Sequence, residues 1–138
     1  WSQEVAQEKK SAVFDLIKSG LFKLKKKQTG PYRVILKVIE WKLILNIYDY
    51  WDKNNTDIKI SLSSIRRIIR DYQIVCENYV DAIKTAPLKK IEAIDVGRRT
   101  IHDEGAENIS ELLNENIEVD MDTARRIFTL VSIITHKI

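Results

Sequence analysis

The sequence contains few of the residues that define several specialised classes of protein. Its 138 residues include one cysteine, Cys76, and two histidines. A single cysteine excludes a framework of disulfides within the chain and is typical of a reducing compartment, so we expect a cytoplasmic protein. Two histidines without cysteine pairs predict no metal site. The four glycines form neither a dinucleotide-binding motif nor a phosphate-binding loop, and we expect no cofactor.

Long apolar segments are also absent. The uncharged run from Ile127 to His136 is shorter than the roughly 18 apolar residues that a transmembrane helix needs. We therefore expect no membrane span. Apolar residues make up 44% of the chain and charged residues 31%, a balance that excludes a disordered chain. The length of 138 residues predicts a single domain over 1–138.

The charges are unevenly distributed along the chain, although their sum is only +3. Residues 103–122 contain eight acidic residues and no basic one. Lysines are concentrated near the N-terminus, where the stretch from Lys23 to Lys27 could contact a nucleic-acid backbone. An acidic block of this density repels phosphates unless it faces away from them. Nucleic-acid binding is therefore only an alternative function here.

The periodicity of apolar residues predicts an α+β fold. From Tyr32 the apolar residues alternate with a period of two, as in strands, and the later segments have the helical period. The turn DKNNTD at 52–57 and the break at Pro87 separate elements, Gly105 is placed to end a helix, and Asp120 is placed to cap one. We predict an N-terminal helix over 4–19, a three-stranded antiparallel meander over about 32–38, 43–49 and 58–62, and helices over about 64–85, 88–104, 107–114 and 122–136 that pack on the sheet.

One predicted helix carries ionisable residues on its apolar side. With 100° per residue, Asp95, Arg98 and His102 lie within about 40° of Ile91, inside the arc that faces the core. A buried charge without a partner is costly, so these groups either form an internal network or line a cleft. In the second case Arg66, Arg70 and Arg125 from the neighbouring helices would complete a site for a small anion such as phosphate or a carboxylate.

These residues favour binding over catalysis. We predict a protein without catalytic activity that binds a protein partner or a small anionic ligand through six residues: Arg66, Arg70, Asp95, Arg98, His102 and Arg125. A small hydrolase of phosphate esters, with His102 as acid or base, is an alternative, but no serine or cysteine has the setting of a nucleophile. Cys76 falls on an apolar arc and is expected to be an inert thiol. Aromatic residues such as Trp41 belong either to the core or to the contact of a homo-oligomer.

Two segments of the helical half have a specific sequence. Residues 91–105 read IEAIDVGRRTIHDEG, and residues 119–130 read VDMDTARRIFTL. On these segments the chain resembles a family of uncharacterised proteins found mainly in alphaproteobacteria, and the resemblance covers nearly the whole chain. Asp103 departs from the family pattern, which commonly has asparagine there. The resemblance implies an intracellular bacterial protein and brings no activity with it.

Overall fold

A computed structural model of the protein describes residues 11–16, 22–24, 32–49 and 55–136. It has the predicted α+β class, with a sheet followed by helices. The elements in chain order are β1 (Ser11–Leu16), β2 (Phe22–Leu24), β3 (Tyr32–Ile39), β4 (Lys42–Asp49), β5 (Asn55–Ser61), α1 (Arg66–Thr85), α2 (Leu88–Leu113), β6 (Ile117–Val119) and α3 (Met121–Ile134).

The larger sheet contains the predicted meander. Its strands lie in the order β1-β3-β4-β5 and every pair is antiparallel. β3 and β4 are joined by a two-residue turn at Glu40 and Trp41, both of which have positive φ. Such turns match the right-handed twist of a hairpin, but their backbone normally favours glycine or asparagine. The predicted strand over 58–62 begins earlier, at Asn55, which pairs with Tyr48 of β4, and the side chain of Asn46 donates a hydrogen bond to Asp57 at 2.6 Å.

The core lies between one face of this sheet and the helices. Side chains alternate along β3, so that Val34 and Leu36 are fully buried while Arg33 and Lys37 point outward. Burying one such side chain contributes about 2 kcal/mol to folding. The helices cover this face with further buried residues: Ile65, Ile69, Tyr72, Ile109, Leu113, Ile127, Phe128, Val131 and Ile134.

The prediction of an N-terminal helix over 4–19 is wrong for the residues of this range that the structure describes. Residues 11–16 form β1, which pairs with β3 from Ser11 opposite Lys37 to Leu16 opposite Tyr32. The apolar spacing there fits a helix, but the open edge of β3 offers backbone hydrogen bonds that outweigh this local preference. The remaining residues of that prediction lie outside the described part of the chain. Of the stretch from Lys23 to Lys27, considered above as a nucleic-acid contact, residues 23 and 24 belong to β2 and the rest also lies outside the described part.

The helices expected over 88–104 and 107–114 are one continuous helix, α2. Gly105 does not end it. A Cβ atom at Gly105 would overlap the ring of Phe128, so this position needs glycine because α2 and α3 approach closely there. The sequence alone therefore does not distinguish a glycine required by close helix packing from a glycine that ends a helix.

The other two predicted helices are confirmed with small changes at their ends. A short 3₁₀ turn, Ser63–Ile65, precedes α1, which ends where predicted at Thr85. Asp120 caps α3 as expected, because its Oδ1 accepts a hydrogen bond from the backbone of Thr123 at 2.9 Å. No sequence pattern predicted β6, which pairs with β2 in a separate two-stranded sheet. No described helix is both long enough and apolar enough to cross a membrane.

Candidate functional site

The six residues predicted to bind a ligand are distributed over three places. Asp95, Arg98 and His102 lie on α2, where it packs against α1 and α3. The side chain of Arg125 on α3 turns towards Asp103 and Asp122. Arg66 and Arg70 lie at the start of α1, against Trp41 at the end of the sheet. The structure therefore places these side chains in three separate sets of contacts.

Arg98 is the centre of the first set. Its Nη2 and Nε lie 2.5 and 3.1 Å from Asp95 Oδ1, and its guanidinium lies over the ring of Tyr79 at 5.1 Å. Tyr72 nearby contributes to the raised pKa of Arg98, after the larger effect of Asp95. Asp95 also forms an ion pair with Arg99, whose Nε lies 3.2 Å from Oδ2 of Asp95. The hydrogen bond from Arg98 lowers the pKa of Asp95 and raises that of Arg98 itself, so the pair stays ionised.

His102 is fixed by α3 and by aromatic neighbours. Its Nε2 lies 2.7 Å from the hydroxyl of Thr129, which donates its own hydrogen to the carbonyl of Arg125 at 3.0 Å. Since a threonine hydroxyl has one hydrogen, we assign the imidazole proton to Nε2, as the donor to Thr129. Tyr72 and Phe128 lie at ring distances of 5.2 and 5.5 Å. Burial lowers the pKa of His102, so the ring is neutral at pH 7.

Two groups beside this network hold their protons. Burial raises the pKa of Tyr72 to about 12, and the neighbouring Cys76 acts in the same direction. Burial also raises the pKa of the Cys76 thiol. A protonated thiol is a poor nucleophile, so the expectation of an unreactive Cys76 agrees with its surroundings, although the side chain is half-buried. Tyr72, Cys76, Tyr79 and Thr129 were not among the predicted site residues. Their helical spacing on α1 was the available signal for the first three.

Arg125 is held by two carboxylates. Its Nε lies 3.0 Å from Asp103 Oδ1 and its Nη1 3.0 Å from Asp122 Oδ1. The hydrogen bond with Asp103 is the main reason that the pKa of Arg125 is raised. Asp103 and Asp122 belong to the acidic block of the sequence, so part of that block joins α2 to α3.

Arg66 and Arg70 are arranged differently, on an aromatic ring. Their guanidinium carbons lie 4.6 and 5.0 Å from the centre of the Trp41 ring. Arg66 is exposed, and no carboxylate of the described residues forms an ion pair with it, whereas Arg70 also donates to Gln73 at 3.3 Å. The backbone of Trp41 has φ of 61°, and its carbonyl accepts a hydrogen bond from Leu62 at 2.7 Å. A strained turn thus holds the indole under two arginines.

The described residues also line a cavity apart from these contacts. A cavity of about 390 Å³ lies between α1 and α2 near their connection and is lined by Val75, Asn78, Asp81, Ala82, Thr85, Ala86, Lys90 and Ile94. It contains none of the six predicted residues. Within the described ranges, no group of three or more His, Cys, Asp or Glu side chains could hold a metal ion.

Comparison with known proteins confirms the resemblance seen in the sequence. Residues 1–137 match the model of UPF0262, described as an uncharacterised protein family. The chain is 44% identical to a UPF0262 protein of Brucella canis over 133 residues, covering 95% of this chain and 82% of the relative. It is 41% identical to one of Agrobacterium fabrum, with 95% and 83% covered, and 39% identical to one of Cereibacter sphaeroides, with 95% and 86% covered. No solved structure matches the chain.

Proposed function

Because the chain belongs to UPF0262, an uncharacterised family, we propose its function from the geometry alone: a binding protein without catalytic activity that holds an anionic group against the arginines at the start of α1. The group is a phosphate or a carboxylate, on a small ligand or on a protein partner. The observation that carries this proposal is the stacking of Arg66 and Arg70 on Trp41.

The arrangement at Trp41 suits an anion. A guanidinium that stacks on an indole keeps its N–H donors at the edge, where a carboxylate or phosphate can accept two of them. Arg66 is exposed, and Arg67 beside it adds a second exposed guanidinium. The fixed ring reduces the side-chain entropy that a flexible arginine would lose when it binds. These properties support recognition of an anion at this surface.

The other four predicted residues, Asp95, Arg98, His102 and Arg125, remain predicted ligand contacts. Each of them already bonds to a partner within the protein. An incoming anion would have to displace a carboxylate from Arg98 or Arg125. We therefore rest the proposal on the exposed Arg66, beside which Arg70 lies over the same Trp41 ring.

Catalysis has less support than binding. A hydrolase would need a nucleophile or a base ready to accept a proton, but Cys76 and Tyr72 keep theirs at neutral pH. His102 is neutral, and its Nε2 is occupied by Thr129. Asp95 is engaged by two arginines. The hydrolase alternative would require this network to open.

The proposal is tested by calorimetric titration with inorganic phosphate, pyrophosphate and a triglutamate peptide. We expect at least one of them to bind the wild type, and Arg66→Ala to weaken that binding about tenfold, which corresponds to a lost charge-assisted hydrogen bond. Lys89→Ala removes an exposed positive charge far along the chain, on α2, and serves as the matched control. Equal binding by the two variants would refute the assignment to Arg66.

The hydrolase alternative has its own measurement. The wild type is incubated with an aromatic phosphate monoester, and release of the phenol is followed. We expect no release above that of the buffer. Turnover that disappears in His102→Ala would contradict a function without catalysis.

A further inference from the structure

The cavity between α1 and α2 opens on the side of the hairpin that faces away from α3. On α1, Tyr72 contacts the Phe128 ring of α3 at 5.3 Å, whereas Asn78, which lines the cavity, lies about 120° around the helix from Tyr72. On α2, His102 contacts α3, and Lys90, which also lines the cavity, again lies about 120° from it. α3 therefore does not cover the cavity.

The cavity has an apolar floor. The floor is formed by buried Ala82 and by half-buried Val75, Ala86 and Ile94. Two of these residues are alanines, and their small side chains leave space where the two helices separate. The volume of about 390 Å³ lies within the range of sites for small molecules, which is about 300 to 1,000 Å³. Such sites usually combine apolar walls with a few polar groups.

The polar groups at the rim of the cavity have both signs of charge. Asn78, Asp81 and Thr85 of α1 and Lys90 of α2 are exposed there. Among the described residues, none of these four side chains forms a hydrogen bond or an ion pair. Asp81 and Lys90 thus line one cavity with opposite charges that do not pair with each other. A molecule that carries both charges could pair with both side chains.

These groups follow a definite order along the hairpin. The rings of Tyr72 and His102 are 5.2 Å apart, so these two residues lie at about the same height on the antiparallel helices. At 1.5 Å per residue, Lys90 is then level with residue 84 of α1, about 4.5 Å closer to the helix connection than Asp81. Ile94 is level with residue 80, and Val75 lies further from the connection. The cavity therefore presents first a base, then an acid, and then apolar side chains.

We propose that this cavity binds a free α-amino acid with a branched aliphatic side chain, such as leucine. The carboxylate of the ligand accepts hydrogen bonds from Lys90, and its ammonium group donates to Asp81. Its side chain packs against Val75 and Ile94. An α-amino acid carries these three groups on one carbon atom, so they can meet the base, the acid and the apolar floor in the order that the cavity provides.

A ligand with both charges suits this rim better than a ligand with one. A simple anion that pairs with Lys90 would be repelled by the nearby carboxylate of Asp81, and a simple amine would be repelled by Lys90. Both side chains are exposed, so each contact contributes modestly and the selectivity comes from their combination. This proposal does not depend on anion binding at Arg66.

The first test is calorimetric titration of the wild type with L-leucine, up to about 10 mM, which detects weak binding. We expect saturable binding of one leucine per chain. Leucinamide lacks the carboxylate and 4-methylpentanoate lacks the ammonium group, so each should bind at least about threefold more weakly. A wild type that does not bind leucine, or that binds 4-methylpentanoate equally well, would overturn the proposal.

The second test assigns the ammonium contact. Asp81→Asn should weaken leucine binding about threefold to tenfold, but should not weaken binding of 4-methylpentanoate, which makes no use of this carboxylate. Asp71→Asn is the matched control, because Asp71 is also exposed on α1 but does not line the cavity. It should bind leucine like the wild type. Equal binding by the two variants would contradict the assignment to Asp81.

The third test separates this cavity from the proposed anion site. Ala86→Leu places a larger side chain in the floor without changing a charge, and should weaken leucine binding at least about tenfold. Arg66→Ala should leave leucine binding unchanged. Thermal unfolding without ligand shows whether each variant is folded. Leucine binding that Arg66→Ala abolishes and that Ala86→Leu leaves intact would place the amino acid at the start of α1 and overturn the proposal.

Discussion

The inner and outer ends of the α1–α2 hairpin follow one amphipathic pattern, but only the inner end is buried. Ala106, Ile109 and Leu113 of α2 are fully buried, whereas Leu88 on the same side of that helix is 69% exposed. The difference comes from what covers each end: α3 and the sheet pack on the inner one. An apolar period therefore identifies the side of a helix that faces a neighbour, and the tertiary structure decides how far that neighbour extends.

The Asp95–Arg98 network lies at the border between the two ends. Asp95 and Arg98 have side chains 26% and 30% exposed, so they are neither fully desolvated nor free in water. At such a border a charged pair can retain part of its hydration and still fix the packing of α1 against α2 through Tyr79. Substitutions at the inner end, at this border and at the outer end should therefore change the free energy of unfolding by different amounts.

The largest effect is expected at the inner end, for Gly105→Ala. The added methyl group would overlap the ring of Phe128, which is fully buried, so α2 and α3 would have to separate. We expect a loss of about 3 kcal/mol in the free energy of unfolding, at the upper end of the range for overpacking. Urea denaturation measures it. A change of less than 1 kcal/mol, by the same scale, would mean that this contact is easily relaxed.

At the border, Arg98→Ala should have the next largest effect. It removes the main partner of Asp95 and the guanidinium that lies over the ring of Tyr79. We expect a loss of about 1 to 2 kcal/mol, the usual penalty for partly buried polar groups that lose a partner. Arg99→Ala is the control, because Arg99 contacts the same carboxylate but is 64% exposed, and such pairs contribute about 0 to 1 kcal/mol. Similar losses for both variants would contradict a special role of Arg98.

Most of the architecture follows from local patterns in the sequence. Alternation from Tyr32 onwards predicts the meander because its strands pair with their neighbours in the chain. Pro87 separates α1 from α2, and Asp120 begins α3, because each effect depends on the nearby backbone alone. The candidate site was predicted in part: helical angles identified Asp95, Arg98 and His102 as unusual on their side of α2.

The features that were not predicted from the sequence depend on contacts between distant parts of the chain. β1 forms because of the free edge of β3, and Gly105 is needed because of Phe128, 23 positions later. The stacking of Arg66 on Trp41 joins a helix to a sheet turn, and no spacing within either segment encodes it. The same is true of the hydrogen bond between His102 and Thr129, which depends on how α2 and α3 align.

The dependence of stability on pH tests whether His102, near the border between the two ends, is buried and neutral. Burial lowers the pKa of His102 in the folded protein, so the unfolded chain takes up this proton first as the pH falls through about 6.5. Stability should therefore decrease as the pH falls from about 7.5 to about 5.5. Thermal unfolding across this range measures the slope. His102→Gln should flatten it, and His136→Gln, which removes the only other histidine, should keep it. A wild type without a slope would contradict a buried, neutral His102.

The smallest effect, and one of opposite sign, is expected for Gly97→Ala, where the outer end of the α1–α2 hairpin begins. Gly97 is in the same helix as Gly105, yet a Cβ atom there would have no neighbour within 4 Å. The substitution therefore changes only the conformational freedom of the chain, and alanine should stabilise α2 by about 0.5 to 1 kcal/mol. Urea denaturation of Gly97→Ala and Gly105→Ala together compares the two ends directly, because the chemical change is identical and only the surroundings differ. If Gly97→Ala destabilised the protein, something outside the described residues would have to pack against α2 at that position.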